Sequence, residues 1–118
     1  MEESILATIR ELLVGDKDDL SFDPDLVISI NLALNTLTQA GVGDEKGFKI
    51  TGESEKWTDF VDDDRLEMVK NYVHLKTKVL FDPPTSSFVL ESYNKQIDEL
   101  LWRINAVVDD QTGGGRNG

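Results

Sequence analysis

The sequence predicts a mainly α protein: a small helical bundle with a long C-terminal antiparallel helical hairpin and a short β-hairpin or loop insertion at about 43–61. Three observations predict it. Apolar residues recur at three- and four-residue spacing through Ile5–Leu13, Leu26–Ala40, Leu66–Leu80 and Leu90–Val108, the period of helices with a buried face. Hard stops separate these runs, above all Asp82-Pro83-Pro84. Residues 43–61 break the period, with glycines at 43, 47 and 52 and an alternation at Phe48 and Ile50. The implied division is one helical domain over 1–108 and a flexible tail over 109–118, whose glycines and polar residues cannot pack a core.

The first helix spans about residues 3–14, with Ile5, Leu6, Ile9, Leu12 and Leu13 on one side. Early glutamates suit its positive end, and Gly15 suits the left-handed position that closes it. The linker Asp16–Ser21 is acidic enough to invite a calcium test. As an EF-hand loop it fails three times: the fifth position is Leu20, the sixth is Ser21 rather than Gly, and the twelfth is Val27 rather than Glu. A solvated acidic loop is therefore expected.

The second helix opens on Asp23 as N-cap, Pro24 at the first helical position and Phe22 stapled onto Val27, and it ends at Gly41. Leu26, Ile30, Ala33, Leu34, Leu37 and Ala40 form its main face, while Ile28 and Leu32 point elsewhere, beside Asn35 and Gln39. From Leu26 to Gly43 eighteen residues carry no charge, but Asn31, Asn35, Thr36, Thr38 and Gln39 make the run too polar to span a bilayer. Such a helix is either central to the bundle or shared with a neighbouring chain. In the middle segment, Trp57 and Phe60 either fold back onto the bundle or form a projecting arm that docks a partner. Asp62, Asp63 and Asp64 then cap the next helix.

The hairpin organises the rest. Its first helix, about Asp63–Phe81, carries an apolar arc of Leu66, Met68, Val69, Tyr72, Val73, Leu75, Val79 and Leu80, wide enough to need covering from two directions. The remaining face holds Lys70, His74 and Lys78 at i, i+4 and i+8, with Asn71 and Thr77 beside them. This basic stripe is either solvated or meets acid on a neighbouring subunit or a phosphate backbone. After the prolines, Thr85, Ser86 and Ser87 offer N-cap hydroxyls. On the second helix Leu90, Tyr93, Ile97, Leu100, Leu101, Ile104, Val107 and Val108 share one face, opposite Glu91, Lys95, Asp98, Glu99 and Arg103. Trp102 sits about 180° from Tyr93 at the helical period, amid those charges. It either lies over its neighbours' aliphatic stems or is covered by another chain, and tryptophan is enriched at interface anchors.

Composition limits the chemistry. Twelve basic against 23 acidic residues give a net charge of −11, a surface that repels nucleic acid. A length of 118 residues suffices for a core without disulfides or metal. The absence of cysteine excludes thiol catalysis, and the acidic Met1-Glu2-Glu3 start argues against a secretory signal. A carboxylate-bridged metal bundle needs Glu-x-x-His pairs, and the single histidine follows Asn71 at that spacing. Pairs such as Asp63 with Glu67 on exposed helix faces have little reason to shift their pKa values. No catalytic, cofactor-binding or metal-binding residues are predicted, and the protein is not expected to be an enzyme.

The run TDFVDDDRLEMVKNYVHLKTKVLFDPPTSSFVLESYNKQIDELLWRIN, with the short helices before it, resembles the head–tail connector (adaptor, head-completion) proteins of long-tailed bacteriophages and prophages. The resemblance covers about residues 1–108 and is densest from Trp57 to Asn105. It implies a virion protein, made in the host cytoplasm, that forms a ring of twelve copies between the portal of the DNA-filled head and the tail. That ring extends the DNA channel, passes DNA without sequence-specific binding, and offers a platform to the next head-completion, stopper or tail protein. Trp102, Trp57, Phe60, Lys70, His74, Lys78, Ile28 and Leu32 are the candidates for subunit or partner contacts. The C-terminal segment of such proteins reaches the portal, which makes Asp109, Asp110, Gln111, Thr112 and Arg116 the portal-contact candidates. No membrane is involved.

The alternative from another class is a soluble acidic inhibitor that mimics DNA and occupies a host nucleic-acid-binding protein. The amount of charge favours it and the placement does not. A mimic needs ranked surface carboxylates, whereas residues 26–43 have none and Lys70, His74 and Lys78 interrupt the rest.

Overall fold

The computed structural model describes residues 3–112, with side chains from 3 to 106. The described residues form five helices: α1 (Ile5–Val14), α2 (Asp23–Gln39), α3 (Trp57–Phe60), α4 (Leu66–Phe81) and α5 (Ser87–Thr112). Their ends follow local chemistry. Ser4 Oγ accepts the Ala7 N–H at 3.2 Å to start α1, and Gly15 closes it at φ +83°. Gly41, at φ +94°, ends α2 with the paired bonds of a Schellman turn: Val42 N–H to the Leu37 carbonyl and Gly41 N–H to that of Thr38, both 3.0 Å. Of the three hydroxyls after the prolines, Ser86 is the cap, accepting the Val89 N–H at 3.3 Å.

The start of α2 differs from expectation. Phe22 occupies the cap position without a side-chain bond, and Asp23 is already helical, so Pro24 is the second residue of the helix. Asp23 does not cap because its carboxylate is engaged elsewhere: Arg10 holds Oδ1 at 2.9 Å and Oδ2 at 2.7 Å. Phe22 sets its ring edge-on to Phe81 with centroids 5.7 Å apart.

The centre of the bundle is α4, which touches each of the other four helices. Its apolar arc is covered from two directions, by α1 and α2 on one side and by α5 on another, and α2 and α5 hardly meet. Ile5, Ile9, Leu26, Ile30, Leu34, Leu37, Val69, Val73 and Ile104 are fully buried where these helices pack. On α1 the buried face is rotated from the expected one. Leu12 is 54% exposed, while Arg10, only 2% exposed, is drawn inward by its carboxylate partners.

The middle segment contains no β-hairpin. Among the described residues the only β-type pairing is an isolated bridge between Ser4 and Lys56. The backbone groups of Ile50 are satisfied from α2 instead: Ile50 N–H donates to Asn31 Oδ1 at 2.7 Å, and Asn31 Nδ2 donates to the Ile50 carbonyl at 3.0 Å. A side-chain amide thus does the work of a neighbouring strand. Trp57 and Phe60, on the short α3, fold back into the core at 1% and 5% exposure. The Trp57 indole N–H donates to Thr8 Oγ1 at 3.2 Å, and Phe60 packs on Phe48 at 5.3 Å. Gly43, at φ +75°, lets the chain pass the Phe60 ring, where a Cβ would stand 2.9 Å from a ring carbon.

At the C-terminus α5 runs to Thr112, so the backbone of 109–112 continues the helix beyond the boundary drawn at 108. The side chains of Asp109, Asp110, Gln111 and Thr112, and the whole of Arg116, lie outside the described residues. No helix among the described residues is long and apolar enough to cross a membrane.

Candidate functional site

The candidate contact residues that stand exposed lie on the outward faces of α2 and α5, with the basic stripe on α4; Leu12 on α1 and Leu20 in the linker are open as well. Among the described side chains of α5 only Ile97 and Ile104 are buried, and both face α4. Trp102 is 71% exposed on the far side, as its angular position predicts. Sequence reasoning missed its counterpart, Phe88, which is 82% exposed. The signal was present as spacing: Phe88, Lys95 and Trp102 fall at seven-residue intervals, placing all three in one stripe about 21 Å long. Lys95 has no ion pair among the described residues, because Glu99 pairs instead with Arg103.

On α2 the second apolar face is open. Ile28 and Leu32 are 61% and 51% exposed, and Asp25, Asn35 and Gln39 continue the same stripe. Beside it lies a groove at the meeting of α1, α2 and the end of α4, walled by Leu13, Phe22, Ile28, Leu80 and Phe81 and edged by Asp25 and Asp82. Phe22 and Leu80 are themselves 43% and 41% exposed, so apolar surface extends from the α2 stripe toward the proline corner.

The basic stripe on α4 is largely compensated within the chain. Lys70 Nζ lies 3.2 Å from Glu3 Oε1 and 3.7 Å from Glu67 Oε2, and Lys78 Nζ lies 3.0 Å from Asp82 Oδ2. His74 sits between them in a shallow groove against α5, near Gln96, Glu99 and Arg103. Burial, reinforced by the charge of Lys78, pushes its pKa down, so it is neutral at physiological pH. Thr77, expected beside this stripe, is instead fully buried. A phosphate backbone would find little free positive charge here.

Two groups with strong electrostatics are structural. Arg10 ties four segments together through Asp23, Glu53 Oε2 at 2.7 Å and the Lys17 carbonyl at 3.0 Å. Hydrogen bonding to Asp23 outweighs the desolvation of burial and holds the guanidinium firmly protonated. Asp63 accepts from Arg65 on both backbone and side chain, which keeps its carboxyl below the usual range and shapes the lead into α4. Among the described residues no cluster of His, Asp or Glu could hold a metal ion.

What fold and surfaces define is a helical structural subunit whose most conspicuous exposed groups are apolar and aromatic. The family model described as phage connector protein matches residues 5–111, and the chain belongs to that family. It is a phage structural connector, a virion component that works through contacts with other head or tail proteins. No match was found among curated proteins or solved structures.

Proposed function

We propose that this connector forms a ring, of twelve copies, between the portal of the filled head and the tail. The ring prolongs the DNA channel and presents a docking surface to the next head-completion or tail protein. One observation carries the reading: a chain matched to phage connectors along 5–111 leaves Ile28, Leu32, Phe88 and Trp102 uncovered on separate helix faces. A ring of more than two copies uses such a pair of unlike surfaces on every subunit. With a net charge of −11, a lumen of this protein neutralises no phosphates and lets DNA slide. The role is structural and involves no catalysis or cofactor. The C-terminal segment from Asp109 onward is assigned to the portal.

The test is the copy number of this chain in purified particles, measured by quantitative mass spectrometry against the portal subunit. A ratio near one to one supports the ring. Absence from particles refutes it and gives the lead to an acidic inhibitor of a host nucleic-acid-binding protein.

A further inference from the structure

We propose that the outward faces of α2 and α5 are the two halves of a single subunit contact, α5 of one copy lying along α2 of the next. The proposal rests on the self-assembly reading above and specifies which surfaces meet.

Position comes first. The buried faces of α2 and α5 both pack on α4, and the two helices hardly touch each other. On α2 the exposed stripe of Asp25, Ile28, Leu32, Asn35 and Gln39 lies about 180° from the face carrying Ile30 and Leu37. On α5 the stripe of Phe88, Lys95 and Trp102 lies similarly far around from Ile97. The α2–α4–α5 stack therefore shows one open stripe on each side, the arrangement from which head-to-tail contacts are built.

Size and charge then match. Each stripe covers fifteen residues, 25–39 and 88–102, or about 21 Å of helix from first to last. The α5 face carries Glu91, Asp98 and Glu99 against Lys95, which has no ion pair among the described residues, and Arg103, which holds Glu99; the balance is acidic, so the face suits a partner surface poor in acid. On a chain with 23 acidic residues, α2 offers one: beyond Asp25 its stripe is uncharged and includes two exposed aliphatic residues. Pairing α5 with α5 about a twofold axis centred on Lys95 would bring Phe88 against Trp102, but at the centre of the contact it would set lysine against lysine and Glu91 against Glu99 on both sides, like charges held face to face. Leu32 and Lys95 are the midpoints of their stripes, so they meet whichever way the helices run. The lysine stem covers the leucine and its ammonium reaches solvent.

The chain has no cysteine, which makes a crosslinking test clean. Leu32→Cys, Lys95→Cys and the double variant are assembled into particles and treated with a short bis-maleimide, whose reach of about 10 Å suits packed helices. The double variant should give a ladder of dimers, trimers and larger species on a denaturing gel. Each single variant should stay monomeric, and a co-assembled mixture of the two singles should stop at dimers. Dimers from Leu32→Cys alone would mean twofold pairing through α2 and overturn the proposal. So would monomers only from the double variant in particles holding the normal amount of the chain, a result that leaves the ring reading standing. Absence of the unsubstituted chain from particles overturns both. Should the double variant fail to incorporate, Ile28→Cys paired with Glu91→Cys or with Glu99→Cys reads the same contact for the two helix directions, and a ladder from neither overturns it.

Discussion

Arg10 is the residue on which the first half of the chain closes. A buried guanidinium with a bidentate carboxylate, a second carboxylate and a carbonyl joins α1, the linker, the start of α2 and the middle segment. Removing one partner of such a set strands the others, so Arg10→Met should cost on the order of 3 kcal/mol of stability in urea unfolding. Arg10→Lys should recover little, since a point charge cannot satisfy the fork. The sequence hid this role: Arg10 lies at the margin of an apolar face, where an arginine ordinarily snorkels, and Asp23 looked like a helix cap because nothing local reveals a partner thirteen residues away. His74 gives a pH signature. Its folded pKa is depressed, so the folded state binds fewer protons than the unfolded chain; the stabilisation is present above the unfolded value of about 6.5 and is lost as pH falls toward the folded value. His74→Gln should flatten the decline in melting temperature between pH 7 and 5, and an unaltered profile would place the transition in other groups.

Among the elements, the helices were legible because each rests on a local signal: periodic apolar residues, a Schellman glycine, two prolines and a serine cap. Phe48 to Phe60 was not, because its decisive bonds are long-range. Alternation at Phe48 and Ile50 suggests a strand, yet Asn31, read only as one of the polar residues on α2, supplies both of the bonds that Ile50 makes. Asn31→Ala should cost about 2 kcal/mol by leaving those backbone groups unpaired. It should also open the segment to protease near Gly47 and Gly52 while the helical content of α4 and α5 stays intact; cleavage no faster than in the parent protein would show that Trp57 and Phe60 anchor the segment alone. The same reasoning settles the aromatic pair. Both residues were candidates for a partner surface, and both are core, because Gly43 and Thr8 give their rings and indole N–H a place within the chain.

For the whole molecule, membership of the connector family and the mainly helical fold were readable from the hairpin, and the open surfaces were readable in part. Trp102, Ile28 and Leu32 stand exposed where helical periodicity puts them, whereas Phe88 went unnoticed because it sits among cap residues. Trp102→Ala should leave far-UV circular dichroism and the melting temperature of the isolated subunit nearly unchanged, since the side chain is 71% exposed, yet reduce incorporation into particles several-fold. Normal incorporation would remove Trp102 from the contact.

The central place of α4 bears on curvature. A closed ring of twelve turns by about 30° from one subunit to the next. If neighbours join through α2 and α5, that turn is the angle between two helices fixed on one shared helix, set by side chains such as Val69, Val73 and Ile97 that never meet a neighbour. The number of subunits is then a property of the core: rotating α5 on α4 by a few degrees would add or remove a member without altering one interfacial residue.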